Sequence, residues 1–263
     1  MLKLMKADIY RLLKGKALYI TIAIALIMTV LTTVGGGTIG VSDQNNTVHI
    51  ASDVSGNVAG SMAPFVVMAG SDTTLFLILA VLFALAATDF SSGAIKNTLS
   101  SGVSRMKYYF AKVILGFSFV LIITLLNILV GILVTTAKNG FGGSFDGAFI
   151  ISVLKPYASQ LLMFFAAVCI GNAIVFVTQK GSVLNSVYIA FFYGMSLIFF
   201  MITTAIPSWS NLNNYAFVSN LQMLSAFSQL NISDIVRALS IGVFWIIIST
   251  VLGIIVFRKS EIK

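Results

Sequence analysis

Charged residues are scarce in this 263-residue sequence: only 9% are Asp, Glu, Lys or Arg, whereas about a quarter of an average soluble domain is charged. Hydrophobic residues make up 58%, and the mean hydropathy is +1.01. This balance is not that of a soluble fold with a large core. It predicts an all-α integral membrane protein.

Cysteine and histidine are nearly absent, with one of each, and Cys169 lies inside an apolar run. A disulfide framework and a Cys-based metal site are therefore excluded. The sequence also has no G-x-x-x-x-G-K-[ST] phosphate loop, and it offers no nucleophile–base pair or metal-ligand spacing. We expect a chain without catalytic residues, without a metal site and without a cofactor of its own.

Ionisable residues are also missing from the middle of the long apolar runs. Six runs predict membrane-spanning helices within a single transmembrane domain over residues 1–263. These spans are residues 17–34, 73–88, 113–136, 157–178, 183–206 and 239–257. Proton- and ion-coupled transporters usually place ionisable groups inside the bilayer. Their absence argues against a transporter that energises itself.

Shorter segments precede and connect the first spans. Residues 1–16 place apolar residues at helical spacing among basic ones, which predicts an interfacial amphipathic helix; a secretory signal is the alternative. Residues 62–70 predict either an interfacial turn or an extension of the next helix. Residues 138–150 predict a glycine-rich turn, after which Pro156 is expected in the first turn of the fourth span.

The segment between the fifth and sixth spans, residues 208–233, is semi-apolar and nearly uncharged. It predicts short re-entrant or interfacial helices. Asn231 or Ser233 can cap the last span.

Basic residues are distributed unevenly between the two sides of the predicted bundle. Because the number of spans is even, both termini lie on one side. Thirteen of the sixteen Lys and Arg residues fall on that side, and the other three are Lys138, Lys155 and Arg237. By the positive-inside rule, both termini are expected in the cytosol. The expected location is the bacterial plasma membrane.

Residues 88–112 form a polar island between the second and third spans, with one acid, Asp89, and four bases, Lys96, Arg105, Lys107 and Lys112. On the residues alone, an ordinary solvated loop that obeys the positive-inside rule explains this island as well as a docking site does.

Neutral polar side chains occur within the spans. Interhelical hydrogen bonds, each worth about 1 kcal/mol or less, explain them most simply. The alternative is a weakly polar translocation path, for which the candidate residues are Asn127, Asn172, Tyr188 and Tyr193.

A family pattern lies in the polar island. The run Asp89-Phe90-Ser91-Ser92-Gly93-Ala94-Ile95-Lys96 is followed by Ser104-Arg105-Met106-Lys107-Tyr108-Tyr109. With the amphipathic first helix, the six spans and the cytosolic termini, it resembles the ATP-binding-cassette exporter permeases of the second type over essentially the whole chain. The family often has Glu at the position of Asp89 and Pro near Val103, and this sequence departs at both.

The resemblance implies that this run is a coupling helix in a groove of a separate ATPase subunit. Gly93 would permit close approach of backbones, and Ile95 and Leu99 would present an apolar knob. Ser104 would cap the third span, while Asp89 would contact the ATPase or cap the coupling helix. The predicted coupling residues are Asp89, Gly93, Ile95, Lys96, Leu99, Ser104 and Arg105.

The resemblance also implies partners and an activity. The partners are two ATPase subunits that carry ATP and Mg²⁺, a second permease copy or a sister permease, and membrane lipids, but no nucleic acid. The short chain looks like permeases that export, or give immunity to, antimicrobial peptides such as lantibiotics. The implied function is ATP-driven outward movement of an amphipathic or hydrophobic cargo, foremost a peptide. The alternatives are an immunity module that sequesters a peptide through residues 208–233, and a secondary transporter or channel.

Overall fold

A computed structural model describes residues 2–34, 39–43, 46–50 and 58–259. The glycine run at 35–37, predicted to end the first span, lies outside the described residues. The helices are α1 Leu2–Lys14, α2 Lys16–Val34, α3 Ala63–Ala69, α4 Ser71–Ser91, α5 Ala94–Ser100, α6 Arg105–Asn139, α7 Gly147–Thr178, α8 Gly181–Ala205, α9 Phe217–Met223 and α10 Ile232–Lys259.

Six of these helices, α2, α4, α6, α7, α8 and α10, are long and apolar enough to cross a membrane. The predicted all-α membrane fold is therefore confirmed. Within the described residues, the one β element is a hairpin in which β1 Ile39–Asp43 pairs antiparallel with β2 Asn46–Ile50.

The spans alternate in direction, so one end of the bundle collects α1, α5, the turn between α7 and α8, and the last turn of α10. We call this the basic end, because most of the Lys and Arg residues lie there. The opposite end carries the hairpin, α3, α9 and two 3-10 helices, Pro207–Tyr215 and Leu224–Gln229.

Close packing holds α7 in the middle of the bundle. Its residues Phe164, Val168 and Phe176 belong to the main buried cluster, together with residues of α4, α6, α8, α9 and α10. A Cβ atom at Gly171 would lie 2.2 Å from Cδ1 of Leu82 on α4. The missing side chain at Gly171 thus leaves room for Leu82 against α7, as small residues commonly do in membrane bundles.

The start of α7 corrects the predicted turn and the predicted place of Pro156. The helix begins at Gly147, since the Asp146 side chain accepts a hydrogen bond of 2.8 Å from the Phe149 amide and caps it. Pro156 therefore lies inside the helix, not in its first turn. Its missing amide removes one backbone hydrogen bond, and the long capped helix tolerates this loss.

At the opposite end, residues 63–69 form the separate short helix α3 rather than a turn or an extension of α4, since α4 starts anew at Ser71 after Gly70. The Gln160 side chain of α7 donates to the carbonyl of Met68 in α3 at 2.9 Å and to that of Leu221 in α9 at 2.8 Å. One buried amide thus ties both short helices to the central span. The short helices predicted between the fifth and sixth spans are confirmed.

Two spans contain a π-helical turn, at Phe83–Ala87 in α4 and at Ala190–Gly194 in α8. Such turns leave backbone carbonyls without their usual α-helical partners. The first of them contributes directly to the site described next.

Candidate functional site: a buried charge cluster beside α5

Two carboxylates and two cations meet at the basic end, in a group that we call the charge cluster: Asp8 and Arg11 of α1, Asp89 of α4, and Lys112 of α6. The Lys112 Nζ atom lies 2.7 Å from Asp8 Oδ2 and 2.7 Å from Asp89 Oδ2. Lys112 is 0% exposed, and Asp89 and Asp8 are 4% and 6% exposed. The formal charges of the four side chains balance, with Asp8, Asp89 and Lys112 buried and the Arg11 side chain 42% exposed at the edge of the cluster.

Arg11 and Tyr108 complete the hydrogen bonding of Asp89. The Arg11 guanidinium and the Tyr108 hydroxyl both donate to its carboxylate. Arg11 Nη2 also lies 3.4 Å from Asp8 Oδ1 and donates to the Leu85 carbonyl in the π-helical turn at 3.1 Å. Asp89 therefore joins α1, α4 and α6 at one point.

The electrostatic environment of Arg11 keeps it charged. Burial alone lowers the pKa of this guanidinium, but the hydrogen bond and the attraction of Asp89 outweigh burial, so the pKa lies above its ordinary value. The charge on Arg11 is therefore constant over the physiological pH range.

Aromatic rings form a packed layer beside the charge cluster. Phe176 of α7 contacts Tyr109, Phe90 and Phe257, with ring centroids 5.0, 5.4 and 4.7 Å away. Arg105 Nη1 donates to the carbonyl of Phe257 at 2.7 Å and to that of Arg258 at 3.1 Å. A cation thus satisfies the carbonyl end of α10, and the ends of α4, α6, α7 and α10 are held together.

The short helix α5 lies next to these helix ends, and a glycine flanks it on each side. Gly93, its N-cap, has φ +69°, and Gly102 beyond its end has φ +89°. Both values lie in the left-handed region that favours glycine. No atom lies within 4 Å of an added Cβ at either position. Gly93 is therefore required for its backbone conformation, and the close backbone approach expected there does not occur within this chain.

Burial on α5 corrects the predicted apolar knob. Ile95 is 1% exposed and belongs to the main buried cluster, and Leu99 packs partly buried against the same cluster. Both side chains fix α5 to the bundle and do not project from it. Lys96 and Asn97 form the exposed face.

The remaining predicted coupling residues have mixed outcomes. Ser104 caps α6, as expected, since its side chain accepts from the Lys107 amide at 3.4 Å. Asp89 does not cap α5, since Gly93 is its N-cap and the Asp89 carboxylate is buried in the charge cluster. The expected contact of Asp89 with an ATPase stays a prediction. Lys112, assigned to the loop, lies inside α6. Asp89 and Lys112 therefore lie within span helices, at their basic end, where no ionisable residue was predicted.

The charge cluster was missed by sequence reasoning, although two signals point to it. Asp8 is three residues after Met5 and four before Leu12, so an acid lies on the apolar stripe of a basic helix. Lys112 is followed by a long apolar run without a turn signal. An acid and a base on the apolar faces of separate helices are a sign of a buried ion pair.

The four predicted path residues lie in different places within the bundle. Asn127, Asn172 and Tyr188 are 5%, 0% and 1% exposed. Asn172 donates to the Val168 carbonyl of its own helix at 2.9 Å, and the Tyr193 hydroxyl donates to the Asp72 carbonyl at 3.0 Å. These contacts fit structural hydrogen bonding. A path through the four residues stays a prediction.

A groove of ≈ 850 Å³ lies elsewhere, between α1, α2 and the exposed side of α4, with Asn185 of α8 at its edge. Its wall is mostly apolar, for example Leu18, Leu79 and Phe83, and none of the four path residues lines it. Arg11 and the hydroxyls of Thr88, Ser91 and Ser92 lie at its basic end. The groove is thus apolar along its length and polar at one end.

The charge cluster is an arrangement that links helices. In the part of the chain that the structure describes, no three His, Cys, Asp or Glu side chains gather as a metal site would require. The charge cluster instead joins three helices at the base of α5. Removing one member would leave a buried charge unpaired, at a cost of about 3–5 kcal/mol, so the cluster holds these helices together.

Comparison with known proteins gives one family. A family model described as ABC-2 family transporter protein matches residues 4–197, from α1 into α8. A comparison with curated protein sequences finds no significant match.

Proposed function

The chain belongs to the ABC-2 family of transporter membrane proteins, and from this premise we propose that it acts as one permease domain that an ATPase partner drives through α5. The observation that carries the proposal is the attachment of α5. Its buried Ile95 packs in the same cluster as Tyr108, and Tyr108 donates to Asp89 of the charge cluster. A push on α5 therefore reaches α1, α4 and α6 together.

ATP and Mg²⁺ bind on the partner in this proposal. Two ATPase subunits dock below two permeases, which are two copies of this chain or this chain and a sister permease. Closure of the ATPases displaces both α5 helices, and the joined spans change the exposure of the path between them. The basic end faces the cytosol of a bacterial cell, as its excess of Lys and Arg supports.

The proposed cargo is amphipathic or hydrophobic, foremost a peptide, and it moves outward. The groove along α4 supports this class of cargo, since it is apolar along its length and carries Arg11 and three hydroxyl groups at one end. Its volume of ≈ 850 Å³ lies in the usual range of ligand sites.

The test is reconstitution of the permease with its co-purified ATPase in inside-out vesicles, with a fluorescently labelled lantibiotic as the probe. We expect ATP-dependent uptake into the vesicles. We also expect that Gly93→Val abolishes it, because a β-branched residue strains φ +69°, while Gly194→Ala on α8 leaves it intact. Uptake without ATP, or a Gly93→Val variant with full coupling, would contradict the proposal.

An immunity module without transport is the second candidate. It is favoured by the exposed aromatic residues of the 3-10 helix at the opposite end, since Trp209 and Tyr215 are 57% and 58% exposed. Such a module protects cells even when the ATPase partner is catalytically dead. Loss of protection in the ATPase-dead strain rules it out in favour of export.

A further inference from the structure

The exposed charges at the basic end have a single sign. Among the described residues of this end, the exposed charged side chains are all cationic: Lys6, Arg11, Lys14, Lys16, Lys96, Lys107, Lys180, Arg258 and Lys259. The two acids that the structure describes at this end, Asp8 and Asp89, are both buried in the charge cluster. Among the described residues, no acidic side chain is exposed at this end. Within the described ranges, the charge cluster thus removes from the surface the negative charges that could offset the lysines of this end.

Four separate segments bring these cations around α5. Lys96 lies on the exposed face of α5 itself, and Lys107 lies in the first turn of α6. The turn containing Lys180 lies against α4, since a Cβ at Gly181 would be 3.1 Å from the Ala87 Cβ. Arg258 is held nearby, because its carbonyl accepts from Arg105. The surface around α5 is therefore cationic on several sides.

The face of α5 is also free of large apolar side chains. Ile95 is buried and Leu99 is partly buried, while Lys96, Asn97 and Ser100 are exposed. A partner that binds this face gains little from apolar contact. Its affinity must come from charge and hydrogen bonds.

We propose that the groove of the ATPase that receives α5 is acidic, and that carboxylates there pair with Lys96 and Lys107. This inference rests on the proposed function, because it names the chemistry of the partner at that same site. Lysine heads are compact, strongly hydrated charges, so the pairing steers and orients docking and weakens as salt screens it.

Anionic lipid headgroups are the competing occupant, and a comparison with α1 argues against them. Helices that lie on a membrane combine basic residues with exposed apolar ones. On α1, Ile9 and Leu13 are 37% and 49% exposed beside Lys6 and Lys14. The exposed face of α5 has the lysine but no such apolar residue. The membrane-binding pattern thus belongs to α1, and α5 fits a protein groove.

The test starts from the complex of the full-length permease with the ATPase that co-purifies in mild detergent, identified by its phosphate loop and by ATP hydrolysis. We expect the dissociation constant to rise with salt. Lys96→Glu with Lys107→Glu should weaken binding by about tenfold or more, since like charges then oppose each other. Lys155→Glu, also exposed but at the opposite end, is the matched control and should bind like the unmodified chain.

A reversal experiment sharpens the result: replacing the facing acids of the ATPase by Lys should restore binding of the Lys96→Glu, Lys107→Glu permease. Both lysines are exposed, so we expect equal thermal unfolding midpoints for all permease variants. Equal midpoints exclude misfolding as the cause of weaker binding. If the ATPase binds but neither salt nor charge reversal matters, the acidic groove is wrong and the proposed function stands. If no ATPase co-purifies, the proposed function fails.

One further measurement distinguishes an acidic ATPase groove from anionic lipid headgroups as the partner of α5. The permease is placed in vesicles of neutral phosphatidylcholine, with or without anionic phosphatidylglycerol, and ATPase binding is measured. If the ATPase groove is acidic, we expect the Lys96→Glu, Lys107→Glu permease to bind the ATPase weakly in both kinds of vesicle. A defect that appears only with the anionic lipid overturns the proposal in favour of a membrane contact.

Discussion

At the scale of single residues, the buried ammonium of Lys112 is the group on which the charge cluster depends. Lys112→Met leaves Asp8 and Asp89 buried together with only Arg11 to offset them. We expect a loss of about 3–5 kcal/mol in the free energy of unfolding, as for other broken buried pairs. Thermal unfolding in detergent measures it as a lower midpoint. Lys155→Met, exposed on α7, is the control and should change stability by about 0.5 kcal/mol or less.

A second variant tests whether the loss of stability in Lys112→Met comes from unbalanced charge or from lost packing. Asp89→Asn combined with Lys112→Met leaves Asp8 paired with Arg11 at 3.4 Å, so the remaining charges balance. This double variant should regain part of the stability that Lys112→Met loses. A Lys112→Met protein as stable as the unmodified one would show that the cluster is not coupled as the distances indicate.

Gly253 is a second single residue on which helix packing depends, because α10 packs directly on the Tyr109 ring at this position. An added Cβ at Gly253 would lie 2.8 Å from the Tyr109 hydroxyl oxygen and 2.9 Å from Cε2. Tyr109 is fully buried and cannot swing away. Gly253→Ala should therefore cost about 1–3 kcal/mol. Gly194→Ala, where the nearest atom is 4.0 Å away, should be neutral or slightly stabilising in the same unfolding measurement.

At the scale of elements, the question for α5 is whether Ile95 anchors the helix to the bundle or projects from it. Ile95→Ala removes a side chain that is 1% exposed, so the isolated permease should lose about 2–5 kcal/mol at this site. Hydrogen exchange of residues 94–100 should rise. Asn97→Ala, exposed on the same helix, should leave exchange there unchanged. If hydrogen exchange of residues 94–100 is unchanged in Ile95→Ala, then Ile95 does not anchor α5 and acts as an exposed apolar knob.

The first turn of α7 provides a pH prediction. The hydrogen bond from the Phe149 amide, followed by that from Ser144, lowers the pKa of Asp146 below its ordinary value. The cap therefore stabilises α7 above the unfolded pKa of Asp, about 3.9, and its contribution is lost as the pH falls through the lower folded pKa. Amide exchange at residues 147–150, corrected for intrinsic rate, should show loss of protection at pH 3 relative to pH 6. Asp146→Asn keeps an acceptor that does not titrate, so its protection should not depend on pH.

The sequence predicts the existence of the spans better than their ends. A long apolar run has few alternatives to a membrane helix, and all six runs are helices here. The predicted third span begins at residue 113, because Lys112 is assigned to the loop, whereas in the structure Lys112 is already buried within α6. Whether a lysine is solvated or buried depends on Asp8 and Asp89, which come from distant parts of the chain. Local pattern does not contain that information, and the same gap led to the exposed role predicted for Ile95.

At the scale of the whole molecule, the charge cluster and the surface lysines have a common consequence. Because Asp8 and Asp89 are buried, the exposed charges that the structure describes at the basic end are all positive. The positive-inside rule counts Lys and Arg and gives little weight to acids, so burial of the acids leaves the orientation signal intact. At the same time it leaves the cations free to face an acidic partner.

The orientation itself can be tested by labelling single cysteines in a Cys169→Ala background, since the one native cysteine is buried. Ser100→Cys lies exposed on α5 at the basic end, and Ser144→Cys lies exposed in the turn before α7 at the opposite end. If the basic end faces the cytosol, a membrane-impermeant maleimide should label Ser144→Cys in intact cells. It should label Ser100→Cys only after permeabilisation. The reverse pattern would invert the topology and remove α5 from the side where ATP is hydrolysed, and with it the proposed route of coupling.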